Sequence, residues 1–278
     1  NAFAEEGVTH LCGAPIIMSM ISGAAPQDQR EFTQHVKMMT AAAPPPASVI
    51  ASIETMGISI THVYGLTEVY GPAVVCAEKP SWRELSVDDR ANLKARQGVA
   101  YELEEDVRVL NPETGQPVPW DGQTLGEIVF RGNIVMKGYL KEPEETAKAF
   151  KDGWFWSGDI AVHHSDGYIE IRDRSKDIII SGGENISSIE VEKALYSHPA
   201  VSLAAVVAMP NEKWGEVPCA FVELAEGAEV TEQALLDHAK SKLASFQRPK
   251  KVIFGELPKT TTGKIRKNEL RDRVRDRS

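Results

Sequence analysis

The sequence predicts an α/β protein: a parallel α/β sheet, then a small β-rich part, then a small α+β domain. Three observations support this prediction. Up to about residue 97, apolar strands alternate with helical segments, as in βαβ units. From about 98 to 172, short strands are separated by turns, which is typical of a small β-barrel or sandwich. After residue 177, helices and strands alternate over a length sufficient for a separate domain.

Composition narrows the class of protein. The 278 residues are 42% hydrophobic and 26% charged, as in a soluble globular protein. The 31 basic and 40 acidic residues give a net charge of −9, which argues against a general nucleic-acid binder. Cys12, Cys76 and Cys219 lie far apart without metal-ligand spacing, which favours a reducing cytoplasm over a disulfide framework. No apolar run reaches membrane-spanning length.

The first part of the chain supplies the elements of the predicted parallel sheet. These elements are a buried helix within 11–23, a strand at 36–39, a helix at 48–55 and a strand through Val63. Residues 41–46, Ala-Ala-Ala-Pro-Pro-Pro, predict a shaped loop, because three prolines cannot continue a strand or a helix interior. In such sheets ligands collect at the carboxyl ends of strands, so the residues after Val63 form a candidate site.

The rest of the chain supplies the β-rich part and the last domain. The predicted elements are strands at 107–110, 126–130 and 167–171, a linker at 172–177, a strand at 178–181, a helix from 187, strands at 201–209 and 220–224, a helix at 231–245 and a strand at 252–254.

Thr67 and Glu68 stand side by side at the predicted end of the strand through Val63. Their hydroxyl and carboxylate suit a phosphate or a hard cation such as magnesium. Taken alone, the pair also has a plain alternative, an ordinary strand-to-loop turn with a surface glutamate.

Four later features carry groups of the same kind. Asp159, on an aromatic-rich turn, suits a ribose diol, and Arg174 suits forked contacts to sugar or phosphate oxygens. Gly182 and Gly183 allow close backbone approach to a ligand. Lys264, on a flexible loop rich in glycine and threonine, suits developing phosphoryl charge. Each also has a plain alternative: a turn aspartate, a linker arginine, a tight turn and a solvated lysine.

Taken in order, five segments resemble motifs of the adenylate-forming superfamily: acyl-CoA synthetases, luciferases and the adenylation domains of peptide synthetases. The segments are Tyr64–Glu68, Ser157–Asp159, Arg172–Asp177, Gly182–Asn185 and Pro258–Lys264. The resemblance covers essentially the whole chain. It implies that residues 1–175 form the second half of the large AMP-binding domain, with an α/β subdomain over about 1–97 and a β-barrel subdomain over about 98–175. Residues 176–278 would form the mobile C-terminal domain.

The resemblance implies two half-reactions. A carboxylic acid attacks the α-phosphorus of ATP to give an acyl-adenylate and pyrophosphate, and the thiol of coenzyme A then attacks the activated carbonyl. By this resemblance Glu68 would hold Mg²⁺, and Thr67 and Lys264 would act with it as catalytic residues. The residues that would bind ATP or AMP are Ala42, Ala43, Pro44, Tyr64, Gly65, Thr67, Asp159, Arg174 and Lys264.

One of these segments departs from the family. Ala41-Ala42-Ala43-Pro44 stands where the family has Gly-Gly-Ala-Pro. Alanine keeps the backbone carbonyl and amide, so adenine binding is expected to survive with a tighter wall.

In the same resemblance, Lys176 matches the hinge at which the C-terminal domain turns between the half-reactions. Gly182 and Gly183 would line the pantetheine tunnel. Trp214, Phe246 and Arg248 would hold the CoA nucleotide, since aromatic faces can stack on adenine. The alternatives are core packing for Phe246 and an ordinary surface position for Arg248.

Among subfamilies, the sequence is most similar to short- or medium-chain fatty acyl-, aryl- or methylthiopropionate-CoA ligases. The acyl pocket would be lined by Val63, Gly65, Tyr70 and Gly71, and Tyr70 would narrow it. The family's other phosphate element, a Ser/Thr-Gly-rich loop ending in lysine, occurs nowhere in the sequence. The chain is therefore expected to be the second half of such an enzyme and inactive by itself.

Three functions remain open at this point. The first is an ATP-dependent acyl-CoA ligase that uses a carboxylic acid, ATP and CoA. The second is an adenylating enzyme with another acceptor, and the third is a non-catalytic fragment that binds nucleotide or CoA. The sequence leaves the acid, the pathway and the oligomeric state undetermined, with a homodimer as one option.

Overall fold

The computed structural model describes residues 1–102, 104–260 and 263–275. The chain forms two compact units, Asn1–Ile171 (the N-terminal unit) and Arg172–Ser278 (the C-terminal unit). The predicted hinge and the predicted boundary at 175/176 stay predictions.

Among the described residues, the N-terminal unit contains five α-helices and most of the strands. Its helices are α1 (Ala2–Glu5), α2 (Pro15–Ser22), α3 (Ala47–Thr55), α4 (Val87–Lys94) and α5 (Pro143–Ala149). Its strands are β1 (His10–Gly13), β2 (Val36–Thr40), β3 (Ile58–Leu66), β4 (Gly71–Val75), β5 (Val99–Ala100), β6 (Asp106–Leu110), β7 (Gly126–Arg131), β8 (Phe150–Lys151), β9 (Trp154–His163) and β10 (Ile169–Arg174), which continues into the C-terminal unit.

The first sheet is mixed, and its strand order is β1-β2-β3-β4-β5. Strands β1, β2 and β3 pair in parallel, as predicted, but β4 and β5 are antiparallel additions. Sequence reasoning missed β1, because three of its four residues lie within the stretch 11–23 that was predicted to hold a helix; α2 begins only at Pro15, the position where proline fits a helix best. Residues from α2, α3, β2 and β3 share one apolar core: Met18, Val36, Met38, Ile50, Ile53, Ile58 and Ile60.

The predicted β-rich part contains a second, five-stranded sheet. Its strand order is β10-β9-β7-β6, and β8 pairs with β9. The pairs of β6 with β7, β7 with β9 and β8 with β9 are antiparallel. Arg96, which precedes β5, contacts the connection between β9 and β10. Its guanidinium donates two 3.0 Å hydrogen bonds to the Asp166 carboxylate and lies over the Tyr168 ring.

The C-terminal unit is a small α+β domain, as predicted. It contains β11 (Ile179–Ser181), β12 (Glu184–Ile186), α6 (Ser188–Tyr196), β13 (Val201–Asn211), β14 (Gly215–Leu224), α7 (Glu232–Lys242), β15 (Lys251–Phe254) and α8 (Lys267–Arg275). Its sheet has the order β12-β11-β14-β13, with β15 added in parallel to β14. Helices α6 and α7 cover an apolar core that includes Val191, Leu195 and Leu235.

The interpretation of residues 172–177 as a linker is wrong for their first half. Strand β10 runs through Arg174, and Asp173 is only 1% exposed. The Asp173 carboxylate accepts the backbone amides of Ser188 (2.5 Å) and Arg174 (2.8 Å). A polar run resembles a linker by composition, but here buried hydrogen bonds satisfy it. Sequence reasoning also missed α8, because only Leu270 and Val274 of its residues are buried.

Within the part of the chain that the structure describes, every helix is too short or too polar to cross a membrane.

His62 makes the stability of the fold depend on pH. It lies buried in β3, and its Nδ1 donates to the carbonyl oxygen of Arg96 at 2.9 Å. Burial lowers the pKa of His62 from 6.5 to about 4. The unfolded chain therefore takes up the proton first, so stability is lost as the pH falls from 6.5 towards 4. Between pH 7 and pH 5 the loss is about 2 kcal/mol.

His62→Asn keeps a donor near the Arg96 carbonyl and removes the titration. Urea denaturation measures the free energy of unfolding of the variant and of the parent at pH 7 and at pH 5. From pH 7 to pH 5 the variant is expected to gain about 2 kcal/mol of stability relative to the parent. Glu104 acts in the opposite sense, because burial raises its pKa to about 7. It is present in both proteins and cancels in the difference. An unchanged difference between the two pH values would contradict the role of His62.

Candidate functional site

The predicted corner at 64–71 is a tight reversal of the chain. After β3, Thr67–Val69 form one 3₁₀ turn, and Tyr70 adopts a left-handed conformation with φ 64° before β4 begins. Gly65 lies so close to the returning strand that a Cβ would sit 1.7 Å from the carbonyl oxygen of Gly71. The close approach that Gly65 permits is therefore made by the chain's own backbone.

The turn presents Thr67 and Glu68 directly after the carboxyl end of β3, as predicted. Thr67 is exposed and Glu68 is half-buried. The Tyr139 hydroxyl donates to Glu68 Oε1 at 3.1 Å, and the Met136 amide donates to the Glu68 carbonyl at 2.7 Å. Burial and the neighbouring carboxylate raise the pKa of Tyr139, which keeps its phenol protonated as a donor. Sequence reasoning missed Tyr139, and the only signal was its place in Lys137-Gly138-Tyr139, a short polar turn before α5.

Tyr64 and Asp159, distant in the sequence, are brought together. The Tyr64 hydroxyl donates to Asp159 Oδ2 at 2.6 Å, and the Tyr64 ring lies 6.1 Å from that of Phe130. Asp159 is 3% exposed. A phenol and a buried carboxylate bonded in this way hold each other in one orientation, which is what a site for a small polar ligand needs.

Asp159 lies within strand β9 and not on an aromatic-rich turn, which corrects the prediction. The strand has an irregular register opposite β7, and Gly158 adopts φ 75° there. The Gly158 amide donates to Glu127 Oε1 at 2.8 Å, and the Ser157 hydroxyl donates to the Ile128 carbonyl at 2.7 Å. Bulges of this kind redirect a side chain, and glycine is the residue that tolerates the conformation.

The predicted adenine loop follows β2 directly. Ala42 adopts φ 79°, a left-handed conformation that costs an L-residue with a Cβ about 1–2 kcal/mol. Ala42 is the second of the two positions at which alanine stands in place of a glycine of the family motif. The departure therefore changes backbone strain as well as the wall of the loop.

Ala42→Gly is expected to stabilise the protein by about 0.5–1 kcal/mol, because relief of the strain exceeds the extra entropy of glycine in the unfolded chain. Urea denaturation at pH 7 measures the change. Ala43→Gly, one residue along and without positive φ, is the matched control and should destabilise slightly. A destabilised Ala42→Gly variant would show that the loop is not strained.

The other two acyl-pocket residues differ in exposure. Val63 is 2% exposed, whereas Tyr70 is 89% exposed. Their part in an acyl pocket stays a prediction, as does the narrowing by Tyr70.

In the C-terminal unit, Gly182 and Gly183 form the two-residue turn of the β11–β12 hairpin, with φ 60° and 91°. Positive φ at both positions is the requirement of a type I′ turn. The Trp214 ring packs on Gly182, where a Cβ would lie 2.7 Å from Cε3, and the Gly182 amide donates to the Trp214 carbonyl at 2.8 Å. The structure thus brings Trp214 next to the glycine pair.

Phe246 and Arg248 lie in the separate segment between α7 and β15. Phe246 is 40% exposed, so the alternative of core packing is wrong. Arg248 is half-buried and its Nε donates to the Leu243 carbonyl at 3.1 Å.

Arg174, at the end of β10, precedes a turn that contains the exposed Lys176. The amides of Asp177 and Ile178 donate to the Arg174 carbonyl at 2.9 and 3.1 Å. Asp159 and Arg174 belong to different compact units.

Lys264 is exposed, and its loop is hydrogen-bonded. Its carbonyl accepts the Thr260 amide at 2.8 Å, and its own amide donates to Thr260 Oγ1 at 3.0 Å. Two residues of the predicted loop motif, Thr261 and Thr262, lie outside the described residues.

Family comparisons agree with this architecture. The family profile described as "AMP-binding enzyme" matches residues 1–140, and that described as "AMP-binding enzyme C-terminal domain" matches residues 190–264. The chain belongs to the family of AMP-binding enzymes, which confirms the membership that the motifs predicted.

Several curated plant proteins are similar over nearly the whole chain. Acetate--CoA ligase CCL3 of Humulus lupulus is 51% identical over 99% of this chain and 50% of its own length. Acetate/butyrate--CoA ligase AAE7, peroxisomal, of Arabidopsis thaliana is 52% identical, with the same coverage. Trans-cinnamate:CoA ligase, peroxisomal, of Petunia hybrida is 51% identical over 95% of this chain and 47% of its own. The chain spans about half the length of the curated relatives it matches.

Solved structures show the same fold. ATP-bound MatB from Rhodopseudomonas palustris superposes with a TM-score of 0.83 at 31% identity, over 96% of this chain and 51% of that one. The anthranilate CoA ligase AuaEII, in complex with anthranoyl-AMP, gives a TM-score of 0.84 at 25% identity, over 98% and 51%. The predicted superfamily fold is confirmed.

Proposed function

We propose that the whole protein is an ATP-dependent acyl-CoA ligase that forms an acyl-adenylate and then a CoA thioester. The observation that carries this proposal is the identity of about one half, over nearly the whole chain, to proteins named acyl-CoA ligases. The geometry supports it, because the two contacts Tyr64–Asp159 and Tyr139–Glu68 order polar groups at the end of β3.

In this proposal the N-terminal unit binds the nucleotide. Tyr64 and the loop of Ala42, Ala43 and Pro44 flank the adenine. Asp159 accepts from the ribose hydroxyls, which Arg174 is also proposed to bind. Asp159 is held in place by Tyr64, so it need not reorganise when the sugar binds. Thr67 is exposed on the turn and its hydroxyl donates to a phosphate oxygen.

Magnesium is proposed at Glu68. Among the described residues there is no cluster of three or more His, Cys, Asp or Glu side chains that could hold a metal. One carboxylate nevertheless fits this ion, because Mg²⁺ is often bound by one or two carboxylates together with substrate phosphates. When bound, Mg²⁺ would neutralise phosphoryl charge. Tyr139 fixes the rotamer of Glu68 through one oxygen.

In the C-terminal unit, Lys264 supplies a cation to the phosphoryl oxygens during adenylation. For the second half-reaction, Lys176 is the proposed hinge, Gly182 and Gly183 line the path of the pantetheine, and Trp214, Phe246 and Arg248 bind the CoA nucleotide. The contact of Trp214 with Gly182 supports a joint role for these two residues.

The acid is proposed to be a short- or medium-chain or aryl carboxylate. The relatives named for acetate, butyrate and trans-cinnamate span that range. A homodimer remains one option for the oligomeric state. The compartment also stays a prediction, since the sequence favours the cytoplasm while three of the relatives are named peroxisomal.

Pyrophosphate exchange with a panel of carboxylic acids tests the function. The whole protein is expected to exchange with at least one acid of the proposed classes and to form its CoA thioester. Adenylation without thioester formation would favour another acceptor, and binding of nucleotide or CoA without exchange would favour a non-catalytic role. The same assay on the 278-residue chain tests the expectation that this chain is inactive by itself.

A further inference from the structure

Two ion pairs flank the segment 259–266 that carries Lys264 (the Lys264 loop), one on each side. At the start of the loop, Lys259 Nζ lies 2.9 Å from both carboxylate oxygens of Glu223 in β14. After the loop, Lys267 Nζ at the start of α8 lies 2.7 Å from Glu192 Oε1 in α6. The Lys267 and Glu192 side chains are only 17% and 14% exposed. Loss of one partner from a pair so deeply placed leaves an uncompensated charge, so the pair resists separation.

Among the described residues, the two ends of the loop are hydrogen-bonded to each other. Lys259 bridges Ile265 in antiparallel fashion, and the Arg266 amide donates to the Pro258 carbonyl at 2.8 Å. Because the base of the loop is a hydrogen-bonded hairpin, the place of Lys264 in the C-terminal unit depends on how that base is anchored.

Helix α8 also contacts the chain on both sides of Lys176. Lys267 Nζ donates to Ser188 Oγ at 2.5 Å, and the Ser188 amide donates to Asp173 Oδ2 at 2.5 Å. One turn further along α8, both terminal nitrogens of Arg271 donate to Asp177 Oδ1, at 3.1 and 3.0 Å. One helix therefore links the Lys264 loop with the carboxylates before and after the proposed hinge residue.

The charge of Lys267 is maintained in this setting. Burial acts to lower its pKa, but Glu192 and Asp173 outweigh burial and raise the pKa above the usual value. Lys267 therefore stays an ammonium and can hold two acceptors on α6 at once.

We propose that Lys267 is a positioning residue that joins the Lys264 loop, α8 and α6 into one rigid piece. Lys264 then keeps a fixed place relative to α6 and α8, and Arg271 reinforces the joint through Asp177. The consequence for catalysis rests on the proposed function of Lys264, whereas the rigid joint itself does not.

The test is made in the whole protein with Lys267→Met, which keeps the length of the side chain and removes its charge. Hydrogen–deuterium exchange of peptides covering 259–266 is expected to be at least about tenfold faster. Pyrophosphate exchange should fall by about 100-fold, because a small displacement of a catalytic group is costly. Thioester formation from supplied acyl-adenylate should stay within about twofold.

Three further variants complete the experiment. Lys267→Arg should restore slow hydrogen–deuterium exchange at 259–266 and most of the adenylation activity. Arg273→Met, at an exposed position of the same helix, is the matched control and should change neither. If Lys267→Met does not fold, Ser188→Ala keeps the pair with Glu192 and should still accelerate exchange at 259–266 by about threefold.

The outcomes separate the two proposals. Faster exchange in Lys267→Met together with a parent protein that never adenylates would support the rigid joint and overturn the proposed function. The joint would be overturned if the parent is active and the Lys267→Met and Ser188→Ala variants keep its hydrogen–deuterium exchange rate at 259–266 and its adenylation rate. Loss of both half-reactions to the same extent in a folded Lys267→Met variant would also overturn it.

Discussion

Lys264→Ala in the whole protein is expected to lower the rate of acyl-adenylate formation by about 10³-fold, while thioester formation from supplied acyl-adenylate is spared. Removal of a cation aimed at developing charge in a water-excluded site typically costs that order of rate. The structure favours a specific effect, because the Lys264 side chain is exposed and its removal leaves the backbone hydrogen bonds between Lys264 and Thr260 in place. Pyrophosphate exchange and the isolated second step are the measurements.

The matched control is Lys240→Ala, which removes an exposed ammonium from α7 in the same unit. Its expected effect on both steps is less than about twofold, because an exposed lysine contributes little. If Lys264→Ala reduced both half-reactions equally, Lys264 would not be specific to adenylation, and its proposed role would be wrong.

Glu68→Gln is expected to lower adenylation by about 100-fold and to raise the half-saturating Mg²⁺ concentration by about tenfold, because the amide keeps the shape and the acceptor but loses the charge that attracts the ion. The Tyr139 hydroxyl still has an oxygen to donate to, so the turn at Thr67–Val69 should keep its structure. Adenylation measured against Mg²⁺ concentration tests this.

Tyr139→Phe separates the charge from its orientation. It removes the 3.1 Å contact to Glu68 Oε1 and keeps the carboxylate, so a fall of about three- to tenfold in adenylation is expected, with a smaller change in Mg²⁺ dependence. If Glu68→Gln and the parent protein shared one rate and one Mg²⁺ dependence, the carboxylate would not be the metal ligand.

The order of elements was largely predictable, and the exceptions have local causes. Strand β3 is rich in β-branched residues and strand β2 alternates buried with exposed positions, so the sequence pattern predicted both. Helix α8 was not predicted, because only two of its residues are buried and the pattern of apolar residues is weak. Ion pairs of Lys267 and Arg271 attach it to the rest of the unit. The run at 172–174 was mistaken for a linker, because its polar side chains find buried partners that no local pattern reveals.

Some residues of the candidate site were predictable from the sequence and others were not. Thr67 and Glu68 were predictable, because a hydroxyl beside a carboxylate at the end of a buried strand is a local signal. Tyr139 was not, because its contact with Glu68 joins residues far apart in the chain, and a lone tyrosine in a turn carries no such signal.

The sequence by itself determined the family, the α/β class and the order of the five motifs, because these depend on residue type and spacing along the chain. Only the tertiary structure decided that Tyr64 bonds Asp159, that Tyr139 orients Glu68, and that Lys267 anchors the Lys264 loop to α6. It also showed that Ala42 is held in a left-handed conformation. Hydrogen bonds and ion pairs between distant residues depend on packing, and the pattern of a single segment does not encode which segment it will meet.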